Sequence, residues 1–554
     1  MPESKPGTPI PVPDNFPVTW EHPDDVRLHW ERDTEHMAGP SSPLMGSLNW
    51  VHEGMRHGLR YWEAPVADTV RQRIHTFEFS AIVPLDASPE EIEARNQRAE
   101  QKLQGVLEDL SGIWERSWWP RIESALQTLD GLRFEAVTDG ELAECVKTAD
   151  EAGLTLWAVH FELVFACGFV RSELDRFCRD LFGPDTVFQT STLTAGDYSW
   201  SVANGEALFE LAEWVTSHPR LAQVVESGGW PQVEASLPGV EGGAEFEARF
   251  RRFIEVHGTK LVGGLVDPTW DEDPTLALDN LRAVIARGGD VGRAQRARVV
   301  AERDARLAAV RERLKTYPRA VATEFEGLLA SAQVASRLME DHNYYIDQKS
   351  FYHFHRLVMA FGRRLAAHGR LDRPEDVQYL EKSELVPALQ GQLEDVRGRV
   401  RQRRTEMERW QDFEAPTELG TVGQPFPPHP LFGGGPPPAG SAPPAEELGV
   451  LRGLPASRGQ VTGTARVCRS IADAPALKPG EILVTPTTNP SWATWYPVLG
   501  GLVTEAGGVL SHAAVVAREY GIPAVVAVPD ATGRIGTGTR LVLNGDDGTV
   551  RILD

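Results

Sequence analysis

The chain has 554 residues, 41% hydrophobic and 24% charged, enough for three or four domains of about 100–200 residues, each burying a core. With 56 Lys and Arg against 79 Asp and Glu, the net charge of −23 argues against nonspecific binding to nucleic acid or to an anionic membrane. Cys145, Cys167, Cys178 and Cys468 are widely spaced with no CxxC pair, so neither a disulfide framework nor a cysteine zinc site is expected, and the expected compartment is the reducing cytoplasm.

Residues 1–20 are rich in proline and have no apolar stretch behind a basic start. They are expected to be a flexible arm without a secretory signal. Residues 21–413 predict a mainly helical domain. Ser88-Pro89-Glu90-Glu91 offers an N-cap, a proline at the first helical position and a capping-box glutamate, and Ile92, Ala99, Leu103, Val106, Leu110, Ile113 and Trp114 follow at helical spacing. The most apolar stretch, Leu154 to Val170, is interrupted by His160 and Glu162 and is shorter than the roughly 20 residues that span a bilayer, so it predicts a buried helix. Further helices are predicted near 204–217, 291–316, 333–368 and 386–412, with short strands near 75–84. Glu414 to Gly449 carries Pro425, Pro427, Pro428, Pro430, Gly433 to Gly435, Pro436 to Pro438, Pro443 and Pro444, and reads as a semi-rigid linker.

After the linker, residues 450–554 change to short β-branched runs. These are Gln460 to Val467, Glu481 to Thr485, Gly501 to Thr504, Ala524 to Val528, Arg540 to Leu543 and Thr549 to Leu553. Helical stretches near Ser491–Leu499 and Ser511–Tyr520 separate them, which predicts a compact α/β domain.

Within it, Thr504 to Val525 reads as a strand, a glycine turn through Gly507 and Gly508, a helix capped by Ser511, and a stop at Gly521-Ile522-Pro523. His512 falls in the first turn of that helix. Free N–H groups, including that of Ala513, and the positive end of the helix dipole suit a phosphoryl dianion. The same field disfavours imidazolium and keeps the ring nitrogen nucleophilic near neutral pH. A lone histidine here could merely cap the helix; the surrounding residues point to phosphate.

His512 with Ala513-Ala514, Ala517-Arg518-Glu519 and Gly521-Ile522-Pro523-Ala524 resembles the phosphohistidine motif of the mobile domain in phosphoenolpyruvate-utilising enzymes. Gly453 to Gly459 with Gly463-Thr464-Ala465 is similar to the opening of that domain, and Asn544-Gly545 with Gly548-Thr549-Val550 to its close. The resemblance implies a swivelling β/β/α phosphohistidine domain, with His512 carrying the phosphoryl group and Gly507, Gly508, Ser511 and Ala513 cradling it. The larger part resembles the substrate-binding domain of rifampin phosphotransferase and of phenol-phosphorylating synthases. It does so through Gly39 to Leu44, Phe250 to Gly258, Asp267 to Pro274, Gly369 to Leu371 and Pro374 to Leu380.

No glycine-rich phosphate loop followed by Lys and Ser or Thr is present in the sequence. The resemblance therefore implies a chain that holds phosphate but is loaded by a separate ATP-grasp subunit binding ATP and Mg2+, with AMP and phosphate as products. The expected acceptor is a small phenol. Fifteen tryptophans, most of them before the linker, suit a planar substrate, although any one of them fits ordinary core packing. A phenol reacts faster as phenolate, so a base or cationic stabiliser is expected. The candidates are His257, Lys260, His342, and His353 or His355. Two alternatives stand beside this reading: a larger hydroxylated acceptor such as an antibiotic, and a non-catalytic phosphocarrier.

Overall fold

The computed structural model describes residues 5–553 apart from 35–38, 136, 184–186, 197–198, 262–263, 412, 424–428, 433–448, 489–491, 493 and 509–510. Most of the prolines and glycines expected to form the linker, and Val509-Leu510 of the histidine motif, thus lie outside the described residues. The principal helices are α1 (Pro89–Ile113), α2 (Asp139–Phe182), α3 (Trp200–Thr216), α4 (Gly243–His257), α5 (Thr275–Arg287), α6 (Gly289–Leu314), α7 (Arg319–His342), α8 (Lys349–Ala367), α9 (Lys382–Leu389), α10 (Val396–Trp410) and α11 (His512–Glu519). The chain forms two compact units.

Unit 1 comprises Met1–Phe169 and Lys349–Pro436. Its four-stranded antiparallel sheet has the order β2-β3-β1-β4, from β1 (His29–Arg32), β2 (Val66–Ile74), β3 (Phe77–Pro84) and β4 (Glu418–Gly420). Ser88 caps α1 as the sequence predicts, accepting from the Glu91 amide at 3.3 Å. The first residues differ from a loose arm. Gly7 and Ile10 donate backbone hydrogen bonds to Val422 and Gly420, and Phe16 is fully buried, stacked on Phe413 at 5.6 Å. The same pairing draws the start of the expected linker into the sheet as β4. Apolar side chains hold both segments, and the prolines fit because an edge strand tolerates lost donors.

Two helical expectations need correction. The helix predicted over 333–368 is α7 and α8 joined by a π-helical turn, Asn343–Gln348. The helix predicted over 386–412 is broken into α9 and α10. Gly391 (φ +79°) and Asp395 (φ +44°) take left-handed backbone between them, and Asp395 caps α10 by accepting from the Gly398 amide at 3.0 Å. The apolar stretch near 154–170 is the middle of α2. By length and composition this helix is sufficient to cross a membrane, and 67% of its most apolar window is buried. Its polar residues do not interrupt it because Glu162 finds partners within the fold.

Unit 2 comprises Val170–Gln348 and Pro437–Asp554. Its eight-stranded sheet has the order β5-β12-β11-β7-β8-β9-β10-β6. The strands are β5 (Val450–Arg452), β6 (Leu454–Ser457), β7 (Gln460–Val467), β8 (Ile482–Thr485), β9 (Gly501–Thr504), β10 (Ala524–Val526), β11 (Arg540–Asn544) and β12 (Thr549–Leu553). The four central strands β7 to β10 pair in parallel and the outer ones antiparallel. Every residue of β8 and β9 is buried, as expected for parallel strands covered on both faces.

Successive side chains of these strands divide between two cores, the period-two pattern of a strand. Ile482, Val484, Val503 and Val525 pack with Leu541, Leu543 and Val550. Leu483, Leu502, Ala524 and Val526 join α11 and the helical residues Leu208, Phe250, Phe253 and Leu281. The α/β body and helices α3, α4 and α5 therefore share one core. Cross-links reinforce it. Asn280 donates to the Thr494 carbonyl at 3.1 Å, Arg287 donates to Leu499, and Gly205 leaves room for the Tyr520 hydroxyl, which any β-carbon there would meet at 2.2 Å.

Candidate functional site

Strand β9 delivers the chain into the turn at Glu505–Gly508. Thr532 anchors this turn by donating its amide and hydroxyl to Glu505 Oε1 at 2.7 and 2.6 Å. Gly507 has φ +105°, and a β-carbon there would meet Ser511 Oγ at 2.9 Å, so both backbone and space require glycine. Ser511 caps α11 by accepting from the Ala514 amide. His512 is thus the first residue of the helix, with Ala513 buried behind it. Below the ring lies Tyr496, edge-on to His512 at 6.4 Å, with its hydroxyl 3.0 Å from Thr488 Oγ1.

The His512 side chain is 11% exposed, and neither ring nitrogen has a hydrogen-bond partner among the described residues. Burial pushes its pKa down to about 3, and His342 and Lys260 add to the effect. The ring is neutral above about pH 4, as a nucleophilic nitrogen requires. Its Nδ1 lies 3.7 Å from Oε2 of Glu340, a residue of α7 that is itself 3% exposed.

Several residues singled out in the sequence gather here. His342 is buried at the end of α7 and donates Nδ1–H to the Leu338 carbonyl at 3.1 Å, and it couples electrostatically to His512 together with Asp347. Lys260 follows the end of α4, is 3% exposed, and its ammonium lies 5.1 Å from the centre of the Trp270 ring. Burial lowers its pKa to about 7. His257, the last residue of α4, is buried against Trp200 (5.3 Å) and Phe253 (5.0 Å), and its pKa falls to about 3 through burial and then through Lys260. Trp200 stacks on Tyr344 at 3.9 Å and donates its backbone amide to Asp341 at 3.0 Å, tying α3 to the end of α7. His353 and His355 belong to unit 1, where His353 Nε2 lies 3.1 Å from Asp130.

Glu340 was not singled out from the sequence. The signal was its place two residues before His342, but helical spacing does not say which residue of a turn meets a strand–helix junction 170 residues away. Trp200 and Tyr344 were hidden in the same way among many aromatics.

Comparison with known proteins places family segments on either side of this contact. The PEP-utilising enzyme mobile domain matches residues 477–548, which include His512. The rifampicin phosphotransferase fourth domain matches residues 160–340, ending on Glu340. The chain is 33% identical over 573 residues to chondramide synthase cmdD of Chondromyces crocatus, covering 98% of this chain and 14% of that protein. It is 31% identical over 448 residues to a rifampicin phosphotransferase of Streptomyces sviceus, covering 78% of this chain and 49% of that protein. It is 23% identical over 566 residues to the uncharacterized phosphotransferase YvkC of Bacillus subtilis, covering 97% of this chain and 63% of that protein. Residues 477–548 are thus similar to the mobile domain of PEP-utilising enzymes, and residues 160–340 before them to a domain of rifampicin phosphotransferase. It spans about half the length of the Streptomyces sviceus relative.

Proposed function

We propose that this chain is the phosphoryl-carrying and acceptor-binding part of an ATP-dependent phosphotransferase. The observation that carries the reading is His512 itself: neutral, nearly buried, with neither ring nitrogen hydrogen-bonded among the described residues, at the start of a capped helix. Glu340 faces Nδ1 and favours the tautomer protonated there, which leaves Nε2 as the nucleophile. ATP and Mg2+ belong to a separate ATP-grasp subunit. With water consumed, ATP becomes AMP and inorganic phosphate, and one phosphoryl group remains on His512.

In the second half-reaction the acceptor hydroxyl oxygen bonds to phosphorus as the P–N bond breaks. Neutral Lys260 accepts the hydroxyl proton. With an ordinary pKa of about 10.5 it could not act as a base near neutral pH, whereas at about 7 it can. The ammonium so formed then faces the phosphoryl anion. The acceptor is a small phenol, and the aromatic side chains of Trp200, Tyr344 and Trp270 around the polar residues suit a planar ring. Similarity to rifampicin phosphotransferase favours a second reading, in which the acceptor is a larger hydroxylated molecule such as an antibiotic.

The test is to mix the full chain with an ATP-grasp subunit and ATP labelled on the β-phosphate. Label should appear on the wild type and fall at least about a thousandfold in His512→Ala. Equal labelling of the variant overturns the reading. Labelling with no transfer to any phenol or larger hydroxylated compound leaves a phosphocarrier instead.

A further inference from the structure

Between helices α3 and α4 of unit 2 lies an open cavity of about 410 Å3. Leu211, Phe253 and Val256 give it apolar lining, His257 lines it from a buried position, and the exposed Arg249, Arg252 and Glu210 mark its solvent side, the mouth. His257 is 5% exposed and its Nδ1 has no hydrogen-bond partner among the described residues. A buried ring nitrogen left unsatisfied costs on the order of 1–3 kcal/mol, a cost that a ligand hydroxyl or carbonyl beside it would remove. The ring is held neutral, so it suits an uncharged hydroxyl rather than an anion.

The mouth has the opposite character. Arg249 pairs with Glu245 at 2.8 Å and Arg252 with Glu255 at 2.6 Å, each on its own helix and exposed. Exposed pairs of this kind contribute less than about 1 kcal/mol, so Arg252 can turn to a ligand anion at little cost, while Arg249 also lies over the Trp214 ring at 4.4 Å and keeps its charge facing the mouth. The volume falls in the range of roughly 300–1,000 Å3 typical of pockets for drug-sized molecules, which leaves room for more than a single ring.

We propose that this cavity seats a fused-ring aromatic molecule with a hydroxyl beside His257 and an acid group at the mouth between Arg249 and Arg252. The proposal rests on the second reading above, a larger hydroxylated acceptor, only in making that molecule the phosphoryl acceptor. Lys260, three residues beyond His257, couples electrostatically to both His257 and His512.

The probe is 6-hydroxynaphthalene-2-sulfonate, titrated by its fluorescence into the full chain. Saturable binding at one site is expected. It should weaken at least about tenfold in Ala248→Trp, which fills the cavity from an exposed position, and about threefold or more in Arg252→Gln. Phenol should compete poorly. Circular dichroism and the thermal midpoint confirm that each variant is folded. Absence of saturable binding up to millimolar probe overturns the site, as does unchanged affinity in folded Ala248→Trp. Labelling of His512 in the wild type is read separately. Labelling without probe binding overturns the cavity site alone. Probe binding lost in Ala248→Trp, but with no labelling, keeps the cavity as a ligand site and overturns the phosphotransfer reading.

Discussion

Each unit buries ionisable groups, and it treats them differently. In unit 1, Glu162 is 1% exposed and fully engaged: Arg121 donates twice at 2.8 and 2.9 Å, Trp118 Nε1 donates at 3.1 Å and His57 Nε2 lies at 2.7 Å. Burial alone would raise its pKa, but these hydrogen bonds outweigh burial and hold the carboxyl below its ordinary range. In unit 2, Lys260 faces the ring of Trp270, and among the described residues the nitrogens of His512 neither accept nor donate a hydrogen bond. A satisfied buried network holds a fold together, whereas buried groups left short of partners are a cost that survives where a ligand or reaction uses them.

That contrast is sharpest under substitution. Glu162→Ala leaves the buried Trp118 Nε1 without its acceptor and removes the partner of the half-exposed Arg121 and His57, so a loss of about 1–3 kcal/mol is expected in denaturant unfolding. Removal of a group from the unit 2 cluster should do the reverse, with function falling more than stability. His512→Asn is expected to abolish label at that position while costing less stability than Glu162→Ala, since neither ring nitrogen holds a hydrogen bond among the described residues. Equal losses of stability in the two variants would erase the distinction.

Lys260 gives the comparison a pH signature. Its folded pKa of about 7 lies below the unfolded value of 10.5, so between those limits the unfolded chain binds more protons and stability rises with pH. The rise ends near pH 10.5, and below about pH 7 this residue contributes no slope. Lys260→Met should flatten it, adding on the order of a few kcal/mol at pH 7 and little at pH 10.5. Unfolding titrations at the two pH values, compared with wild type, measure this directly; equal differences at both would show that the ammonium is not held at a cost.

The smallest expected effect is at the helix cap. Ser511→Ala removes one acceptor from the Ala514 amide and should cost about 1 kcal/mol, with partial loss of His512 labelling. Loss of stability without any change in labelling would make the cap purely structural.

The α/β body was legible because its signals are local. Gln460–Val467, Gly501–Thr504 and Thr549–Leu553 form strands over the residues expected, and Ser511 caps the helix that begins at His512. Strands β5 and β6 were missed. They are three and four residues long, and Leu454 is 46% exposed, so neither length nor alternation marked them. In the helical part, chain-local signals also explain the failures. A π-helical turn does not disturb a run of helix formers, so Asn343–Gln348 left no mark on the pattern, and the backbone at Asp395 is left-handed without a glycine to announce it.

The sequence by itself determined the parts whose physics is short-ranged: strand periodicity, the glycine demanded at position 507, the cap at Ser511, and the placing of His512 at a helix start. Tertiary structure alone decided which distant groups surround that histidine. Lys260 comes near it because apolar faces of α3, α4 and α5 share a core with α11, and Glu340 and His342 because the Trp200 amide at the start of α3 holds Asp341 of α7; packing of that kind depends on the shape of the whole unit. The shift of Lys260 to about 7 has the same origin, since desolvation belongs to a place in the fold and not to the residue.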